Sequence, residues 1–154
     1  MRLSGKKILL GITGSIAAYK SAAICRLLKS EGAEVQVVMT SAATGFITPL
    51  TLSVLSGNPV LTEMVTEENT WNNHVALGLW ADLFLIAPAS ANTISAFTSG
   101  ACDNLLQAVF LSARCPVMFA PAMDHDMYLH EATHANLDTL KSRGNLIIGP
   151  AKGP

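Results

Sequence analysis

The stretch that decides the fold runs from Lys7 to Lys20 and reads KILLGITGSIAAYK. The apolar run at its start predicts a buried strand, and the residues after Gly14 predict a helix. Gly11 and Gly14 allow the backbone to turn tightly, and Ser15 is suited to cap the start of that helix. A helix entered in this way turns free N–H groups and the positive end of its dipole toward an anion. The stretch therefore predicts a phosphate-binding turn.

The composition indicates a single domain that is rich in apolar residues. The chain has 154 residues, of which 50% are hydrophobic and 14% are charged, and its formal net charge is -1. This favours a buried parallel sheet and a surface hidden in an oligomer, and no run reaches the roughly 18 apolar residues of a membrane span. The small net charge gives no electrostatic reason to expect nucleic-acid binding. Cys25, Cys102 and Cys115 form no metal-ligand spacing and fit a reducing cytoplasm.

Apolar runs and helical patterns alternate along the chain, with turn residues between them. Six strands are predicted, at Ile8–Leu10, Val35–Met39, Val60–Leu61, Leu83–Ala87, Pro116–Ala120 and Leu146–Ile148. Helices are predicted at Ser15–Ser30, Thr48–Leu55, Asn73–Leu79, Asp103–Ser112 and Ala132–Ser142, with Asp103 as a cap. This alternation predicts an α/β fold in which helices cover a parallel sheet.

Two short polar loops, Gly11–Ser15 and Pro88–Thr93, follow the first and the fourth predicted strand. In a parallel sheet of the common order these two strands are neighbours, and ligands bind where the strand order reverses. We therefore expect the two loops to meet at one crevice. Side chains able to form hydrogen bonds in the second loop are Ser90, Asn92 and Thr93. An alternative role for Ser90 is to cap a helix.

The glycine turn lacks two features of dinucleotide-binding sites. Those sites carry G-x-G-x-x-G and an acidic residue at the end of the second strand, whereas this chain has only G-x-x-G. Thr40 and Ser41 stand at the end of the second predicted strand, and their hydroxyls suit a phosphate. The sequence thus favours a mononucleotide such as FMN over NAD. The alternative is an ordinary glycine entry to a helix that binds no ligand.

Four motifs occur in order along the chain: Gly11–Lys20, Asn73–Asp82, Pro88–Thr93 and Pro121–Tyr128. Together they resemble the homo-oligomeric flavin-containing cysteine decarboxylases, and most closely the phosphopantothenoylcysteine decarboxylases. In bacteria the latter form the amino-terminal part of a bifunctional coenzyme A biosynthesis protein. The resemblance implies a single-domain, three-layer Rossmann-like flavoprotein fold over residues 1–154, with a mostly parallel six-stranded sheet and FMN as cofactor.

The reaction that the resemblance implies is FMN-dependent decarboxylation of 4'-phosphopantothenoylcysteine to 4'-phosphopantetheine in coenzyme A biosynthesis. Two-electron oxidation of the cysteine side chain would give a thioaldehyde, an electron sink that lets the adjacent carboxylate leave as carbon dioxide. The flavin would then reduce the resulting enethiol to the thiol. Three alternatives stay open: decarboxylation of a peptide's carboxy-terminal cysteine, a flavin prenyltransferase, and a non-catalytic FMN-binding regulatory subunit.

The resemblance also implies roles for individual residues. His74 would be the catalytic acid/base or orienting group, although a lone histidine is also common as a structural residue. Asp124, the second implied catalytic residue, stands where the family usually has an asparagine that holds the substrate carboxylate. An aspartate there would repel that carboxylate unless it is protonated or paired, so a different substrate is a further alternative. Phe46 would contact the flavin or else fill the core. The implied FMN-binding residues are Gly14, Ser15, Thr40, Phe46, Ser90, Ala91, Asn92, Thr93, Ala122 and Met123.

The resemblance implies a homo-oligomer, a trimer or larger, with FMN at the subunit boundary and a small cysteine-derived substrate. His74 and the Asp124 loop would then meet across subunits. Decarboxylases of this family carry a substrate-covering flap with a cysteine shortly after the sixth strand, whereas this sequence ends at Gly149–Pro154, before such a cysteine. We therefore expect a cytoplasmic FMN-binding domain that is cut off before the flap.

The segment His130–His134 reads HEATH and matches the zinc-protease pattern H-E-x-x-H. A metalloprotease needs a further ligand, and Asp138, one helical turn on, is the only acidic or histidine side chain after His134. The favoured interpretation is a solvated helix start, and no metal is expected.

Overall fold

The computed structural model of the chain describes residues 1–149 and shows helices on both faces of one sheet. The strands are β1 (Lys7–Ile12), β2 (Glu34–Met39), β3 (Leu83–Ala89), β4 (Val117–Pro121) and β5 (Leu146–Ile147). The α-helices are α1 (Lys20–Ser30), α2 (Pro49–Ser56), α3 (His74–Trp80), α4 (Ala91–Ser99), α5 (Leu105–Ser112), α6 (His125–Leu129) and α7 (Glu131–Ser142). Short 3₁₀ turns occupy Ile16–Tyr19 and Ala42–Gly45. None of the helices in residues 1–149 combines the length and the apolar character needed to cross a membrane.

The strands run parallel in the order β2-β1-β3-β4-β5. β3 corresponds to the fourth predicted strand, so β1 and β3 are neighbours, as predicted. They pair from Ile8 opposite Leu83 to Gly11 opposite Ile86. The strand order reverses between them, because the chain moves from β1 to β2 on one side and from β3 to β4 on the other. This reversal creates a crevice at the carboxyl ends of the two strands.

The predicted third strand, at Val60–Leu61, is not a strand of the sheet, because this segment forms only one bridge to it, at Val38. A side chain occupies the edge of β2 just before that point: Asn58 Nδ2 donates to the carbonyl oxygen of Val35 at 2.8 Å. Pro59 has no N–H group with which to extend the pairing. The described sheet consequently has five strands and ends at β2.

The core lies in two layers, one on each face of the sheet. Leu9 of β1 packs with Phe84 and Phe119 in the layer that α4, α5 and α7 cover. Leu10, the next residue, packs with Val35 in the layer that α1 and α2 cover. Successive side chains of a strand point to opposite faces, so this alternation is what a sheet buried on both sides requires. The predicted three-layer α/β fold is confirmed.

Two helix starts differ from the predictions. The helix predicted at Ser15–Ser30 begins as the 3₁₀ turn, which leads directly into α1. The helix predicted from Asp103 begins at Leu105 instead, because the Asn104 side chain accepts from the backbone N–H of Gln107 at 2.8 Å. The N–H group of Asp103 donates to the Gln107 side chain at 2.7 Å, which places Asp103 before the cap.

Two helices, α4 and α6, were not predicted. The α4 sequence ANTISAFTS is rich in serine and threonine, which have low helix propensity. Its stability comes from the cap at Ser90 and from the burial of Ile94 and Phe97 against the sheet. The α6 helix has five residues and none of them is buried, so it leaves no apolar periodicity in the sequence.

Candidate functional site

A cleft with a volume of about 2000 Å³ opens at the carboxyl ends of β1, β3 and β4. It lies where the strand order reverses, as the sequence predicted. The predicted site residues that line it are Gly14, Ser15, Thr40, Ser90, Ala91, Asn92, Thr93, Ala122, Met123 and Asp124. Phe46 and His74 are not in its wall. One chain therefore brings together ten of the twelve predicted residues.

The turn after β1 presents backbone donors to this cleft. Ser15 is extended and its Oγ accepts from the N–H group of Ala17 at 3.2 Å, which caps the 3₁₀ turn. The N–H groups of Gly14 and Ser15 donate to no acceptor within residues 1–149. Unpaired donors of this kind favour an anion.

The two glycines of this motif serve packing rather than a special backbone conformation. A Cβ atom at Gly14 would lie 2.7 Å from the Cβ atom of Ala42, so only glycine lets the two turns approach this closely. Gly11, which the sequence predicted to be part of the turn, is a residue of β1 instead. A Cβ atom there would lie 2.7 Å from Cδ1 of Leu106.

The start of α4 supplies a second set of donors. Ser90 caps the helix, because its Oγ accepts from the N–H group of Thr93 at 3.2 Å. The same Oγ donates to the hydroxyl of Thr93 at 3.0 Å, and Thr93 is buried. In the described chain the N–H groups of Ala91 and Asn92 have no acceptor. Capping and an exposed pair of donors thus coexist at this helix start.

Thr40 follows β2 and closes the same end of the cleft. Its hydroxyl accepts from the N–H group of Ala43 at 3.2 Å and so holds the second 3₁₀ turn. This turn contains Ala42, which contacts the position of Gly14. The residue thus supports the glycine turn as well as lining the cleft.

Thr13 also belongs to this region, although its role was not predicted from the sequence. The residue is fully buried, its hydroxyl donates to the carbonyl oxygen of Pro88 at 2.7 Å, and it accepts from the N–H group of Ser90 at 2.9 Å. The backbone N–H group of Thr13 also donates to Pro88 at 3.3 Å. The feature of the sequence that could have identified Thr13 is its position as a hydroxyl residue directly before Gly14, at the end of a strand.

The loop after β4 forms the opposite wall. The N–H group of Ala122 donates to the carbonyl oxygen of Ala89 at 3.1 Å, which holds this loop against β3. Asp124 occupies the N-cap position of α6, but its exposed side chain makes no capping hydrogen bond. No ion pair forms on its carboxylate among residues 1–149. The loop thus presents an unpaired acidic group to the cleft.

The charged lining of the cleft is mixed. Two further carboxylates, Glu63 and Asp103, and one lysine, Lys20, belong to the lining, and His125 lies beside Asp124. Apolar side chains, among them Met64, Leu105 and Met123, also line the cleft. The arrangement therefore combines a hydrogen-bonding end with an apolar wall, which is typical of sites for a phosphorylated aromatic ligand.

His74 lies outside the cleft, at the first position of α3. Asn73 caps that helix, and the His74 ring packs edge-on against Trp71 with a centroid separation of 5.2 Å. Its Nδ1 atom is buried and has no hydrogen-bond partner in the described chain. Phe46 is 50% exposed at the end of the second 3₁₀ turn. Both residues therefore face surfaces other than this chain's own cleft.

A smaller cleft of about 720 Å³ lies beside α3. Its wall includes Lys29, Glu34, Asn73 and Trp80, and it contains none of the predicted cofactor-binding residues. It contains no residue of the two turns that follow β1 and β3, so the larger cleft is the stronger candidate.

The histidines of the zinc-protease pattern have structural partners. His130 Nδ1 accepts from the N–H group of Ala132 at 3.0 Å and caps α7. The His134 ring packs against Tyr128 at a centroid separation of 5.9 Å. Within residues 1–149 no group of three or more histidine, cysteine, aspartate or glutamate side chains is placed to hold a metal ion.

A family model described as Flavoprotein matches residues 1–153. The coenzyme A biosynthesis bifunctional protein CoaBC of Vibrio vulnificus strain YJ016 is 50% identical over 154 residues, covering 98% of this chain and 38% of its own length. A cysteine/cysteine sulfinic acid decarboxylase from an unknown prokaryotic organism is 59% identical over 108 residues, covering 70% of this chain and 30% of its own length. The chain thus spans less than two fifths of the length of these curated relatives.

Solved structures share the fold over nearly the whole chain. The FMN-dependent cysteine decarboxylase SpaF has a TM-score of 0.90 and 31% identity, covering 98% of this chain and 87% of its own. A PPC decarboxylase mutant complexed with pantothenoylaminoethenethiol has a TM-score of 0.84 and 33% identity, covering 96% of this chain and 83% of its own.

Proposed function

The chain belongs to the Flavoprotein family, and we propose that it binds FMN in the large cleft. The observation that carries this proposal is the convergence of two sets of unpaired N–H donors, at the turn of Gly14 and Ser15 and at the start of α4. This donor set fits a phosphate, and the apolar side chains of the same cleft fit an aromatic ring. A volume of about 2000 Å³ leaves space for a substrate beside the cofactor.

We propose that the FMN-loaded domain decarboxylates 4'-phosphopantothenoylcysteine. Support comes from the CoaBC relative, which matches 98% of this chain, and from the structural neighbour described as a PPC decarboxylase. When bound, FMN supplies the two-electron oxidation that turns the cysteine side chain into an electron sink. Met123 and Asp124 line the cleft and would contact the substrate beside the cofactor.

His74 is proposed to act on the substrate of a neighbouring subunit. The residue does not line its own chain's cleft, and its side chain is partly exposed beside Trp71. Exposed apolar side chains on the same helix, Val75 and Leu79, support a subunit contact at this surface. A histidine placed there can donate a hydrogen bond to the substrate or transfer a proton to it. The proposal therefore includes a homo-oligomer whose site is completed across an interface.

A second candidate substrate is free cysteine or its sulfinic acid. The cysteine/cysteine sulfinic acid decarboxylase shares 59% identity over 108 residues with this chain. Asp124 offers a carboxylate with no ion-pair partner in the described chain. A free amino acid carries an ammonium group that such a carboxylate attracts, whereas in phosphopantothenoylcysteine that nitrogen is an uncharged amide.

Carbon dioxide release from both compounds tests the proposed reaction. The FMN-loaded protein is incubated with 4'-phosphopantothenoylcysteine or with cysteine, and the initial rates are compared. We expect release from 4'-phosphopantothenoylcysteine, and faster release from cysteine supports the second candidate. Binding of FMN without release from either compound contradicts both and favours a regulatory subunit.

The proposed compartment is the cytoplasm. Cys25, Cys102 and Cys115 are all free thiols, and thiols persist in a reducing environment.

A further inference from the structure

Thr13 carries every hydrogen bond that joins the two turns of the cleft within the described chain. The paired residues of β1 and β3 end at Gly11 opposite Ile86. Beyond that pair, the recorded contacts between the turns run from the N–H group and the hydroxyl of Thr13 to Pro88, and from Ser90 to the same hydroxyl. No hydrogen bond from Gly14 or Ser15 reaches the second turn.

The Thr13 hydroxyl must act as donor and acceptor at once. It donates to the Pro88 carbonyl oxygen at 2.7 Å and accepts from the Ser90 N–H group at 2.9 Å. The residue is 0% exposed, so water does not replace either partner. Only a hydroxyl side chain supplies both functions in a space of this size. Removing it leaves the N–H group of Ser90, the cap of α4, without its partner.

We propose that Thr13 is the positioning residue that sets the spacing of the two phosphate-binding turns. Because Ser90 starts α4, the Thr13 bond fixes where the open N–H groups of Ala91 and Asn92 stand relative to those of Gly14 and Ser15. The inference rests on the proposed binding of FMN. Thr13 does not line the cleft, so its effect on the ligand passes through the spacing of the turns.

Flavin titrations with matched variants test this role. Thr13→Val keeps the shape of the side chain and removes the hydroxyl, whereas Thr13→Ser keeps the hydroxyl. The dissociation constants of FMN and of riboflavin, which lacks the phosphate, are measured by the quenching of flavin fluorescence. We expect Thr13→Val to weaken FMN binding by about tenfold and riboflavin binding by less than about threefold, and Thr13→Ser to stay within about threefold for both.

The titration distinguishes the proposed role of Thr13 from a general structural effect. Equal FMN affinity in Thr13→Val and the unaltered protein overturns the inference, and so does an equal loss for both flavins, since that marks a general structural effect. If Thr13→Val does not fold, Thr13→Ala replaces it, because alanine differs from serine by one hydroxyl. If the unaltered protein binds neither flavin, the proposed function fails and the inference fails with it.

Discussion

The charge of Asp124 bears on which substrate the cleft accepts. The sequence identified it as an unusual acid, and the structure adds that it faces the cleft with no ion pair in the described chain. A carboxylate at this point attracts an ammonium group and repels a substrate carboxylate. Its identity therefore bears on which cysteine compound enters.

Substitution of this residue is expected to change substrate preference. Asp124→Asn removes the charge and keeps the size of the side chain, so the ratio of kcat/KM for 4'-phosphopantothenoylcysteine to that for cysteine should rise by about tenfold. Steady-state kinetics with both substrates measure this ratio, and the FMN dissociation constant serves as the control. An unchanged ratio means that the Asp124 charge plays no part in selection.

The buried thiol of Cys25 predicts that the free energy of unfolding depends on pH. Burial raises the pKa of the Cys25 thiol, and the nearby Lys29 lowers it in part. The folded protein thus keeps this proton to a higher pH than the unfolded chain, whose thiols ionise at about pH 8.5. Stability that is present below that pH is lost as the pH rises. Burial also raises the pKa of Cys115, which adds to the same slope.

Urea unfolding between about pH 7 and pH 10 measures this slope. We expect the free energy of unfolding to fall with pH in the unaltered protein and to fall less steeply in Cys25→Ala. Cys102→Ala is the control, because Cys102 is exposed. Identical slopes in Cys25→Ala and Cys102→Ala rule out the buried thiol as the cause.

At the scale of elements, the sequence predicted those that its apolar pattern defines. β1 and β3 are nearly continuous apolar runs, β2 is apolar from Val37 to Met39, and Asn73 caps α3. The predictions were wrong where contacts with residues outside a segment determine whether that segment forms a strand or a helix. Asn58 and Pro59 keep Val60–Leu61 from becoming a strand, and neither effect appears in the pattern of that segment itself.

The packing of α3 on α5 depends on Gly78. A Cβ atom there would lie 2.8 Å from the carbonyl oxygen of Ser112 and 3.2 Å from Cα of Ala113. Alanine gains about 1 kcal/mol of helix propensity, but the clash is with backbone that cannot rotate away, so it dominates. We expect Gly78→Ala to lower the free energy of unfolding by about 1–2 kcal/mol.

Chemical denaturation of the purified variant measures this change. Gly45→Ala is the matched control, since a Cβ atom at Gly45 meets nothing within 4 Å, and it should be neutral or slightly stabilising. Equal stabilities of the two variants contradict the close packing of α3 on α5.

At the scale of the whole molecule, topology determined what the sequence could predict of the site. Adjacent parallel strands necessarily bring their carboxyl ends together, so the meeting of the Ser15 and Ser90 turns followed from element order. The positions of His74 and Phe46 outside this cleft did not follow, because neither residue lies on a turn that ends β1 or β3. Thr13 was missed because its role appears only in the hydrogen bonds that it forms.

The proposed homo-oligomer places apolar side chains in an interface. Leu50 and Val54 of α2 are 72% and 73% exposed, and Val75 and Leu79 of α3 are 48% and 58% exposed. Each pair is four residues apart and so lies on one face of its helix. A charge on such a face is costly to bury in a subunit contact.

Light scattering after gel filtration tests this arrangement. We expect the unaltered protein to be a trimer or larger and the double variant Val75→Asp/Leu79→Asp to be of lower mass. Lys141→Asp on α7 is the control for added charge. A monomeric unaltered protein contradicts the proposal of a site completed across subunits.

FMN-dependent release of carbon dioxide is the most direct test of the central claim. The protein is freed of flavin, and the initial rate of carbon dioxide release from 4'-phosphopantothenoylcysteine or cysteine is measured as FMN is added. We predict no release without FMN and a rate that rises and saturates as FMN fills the cleft. Release that is independent of FMN, or no release once FMN is bound, contradicts the account.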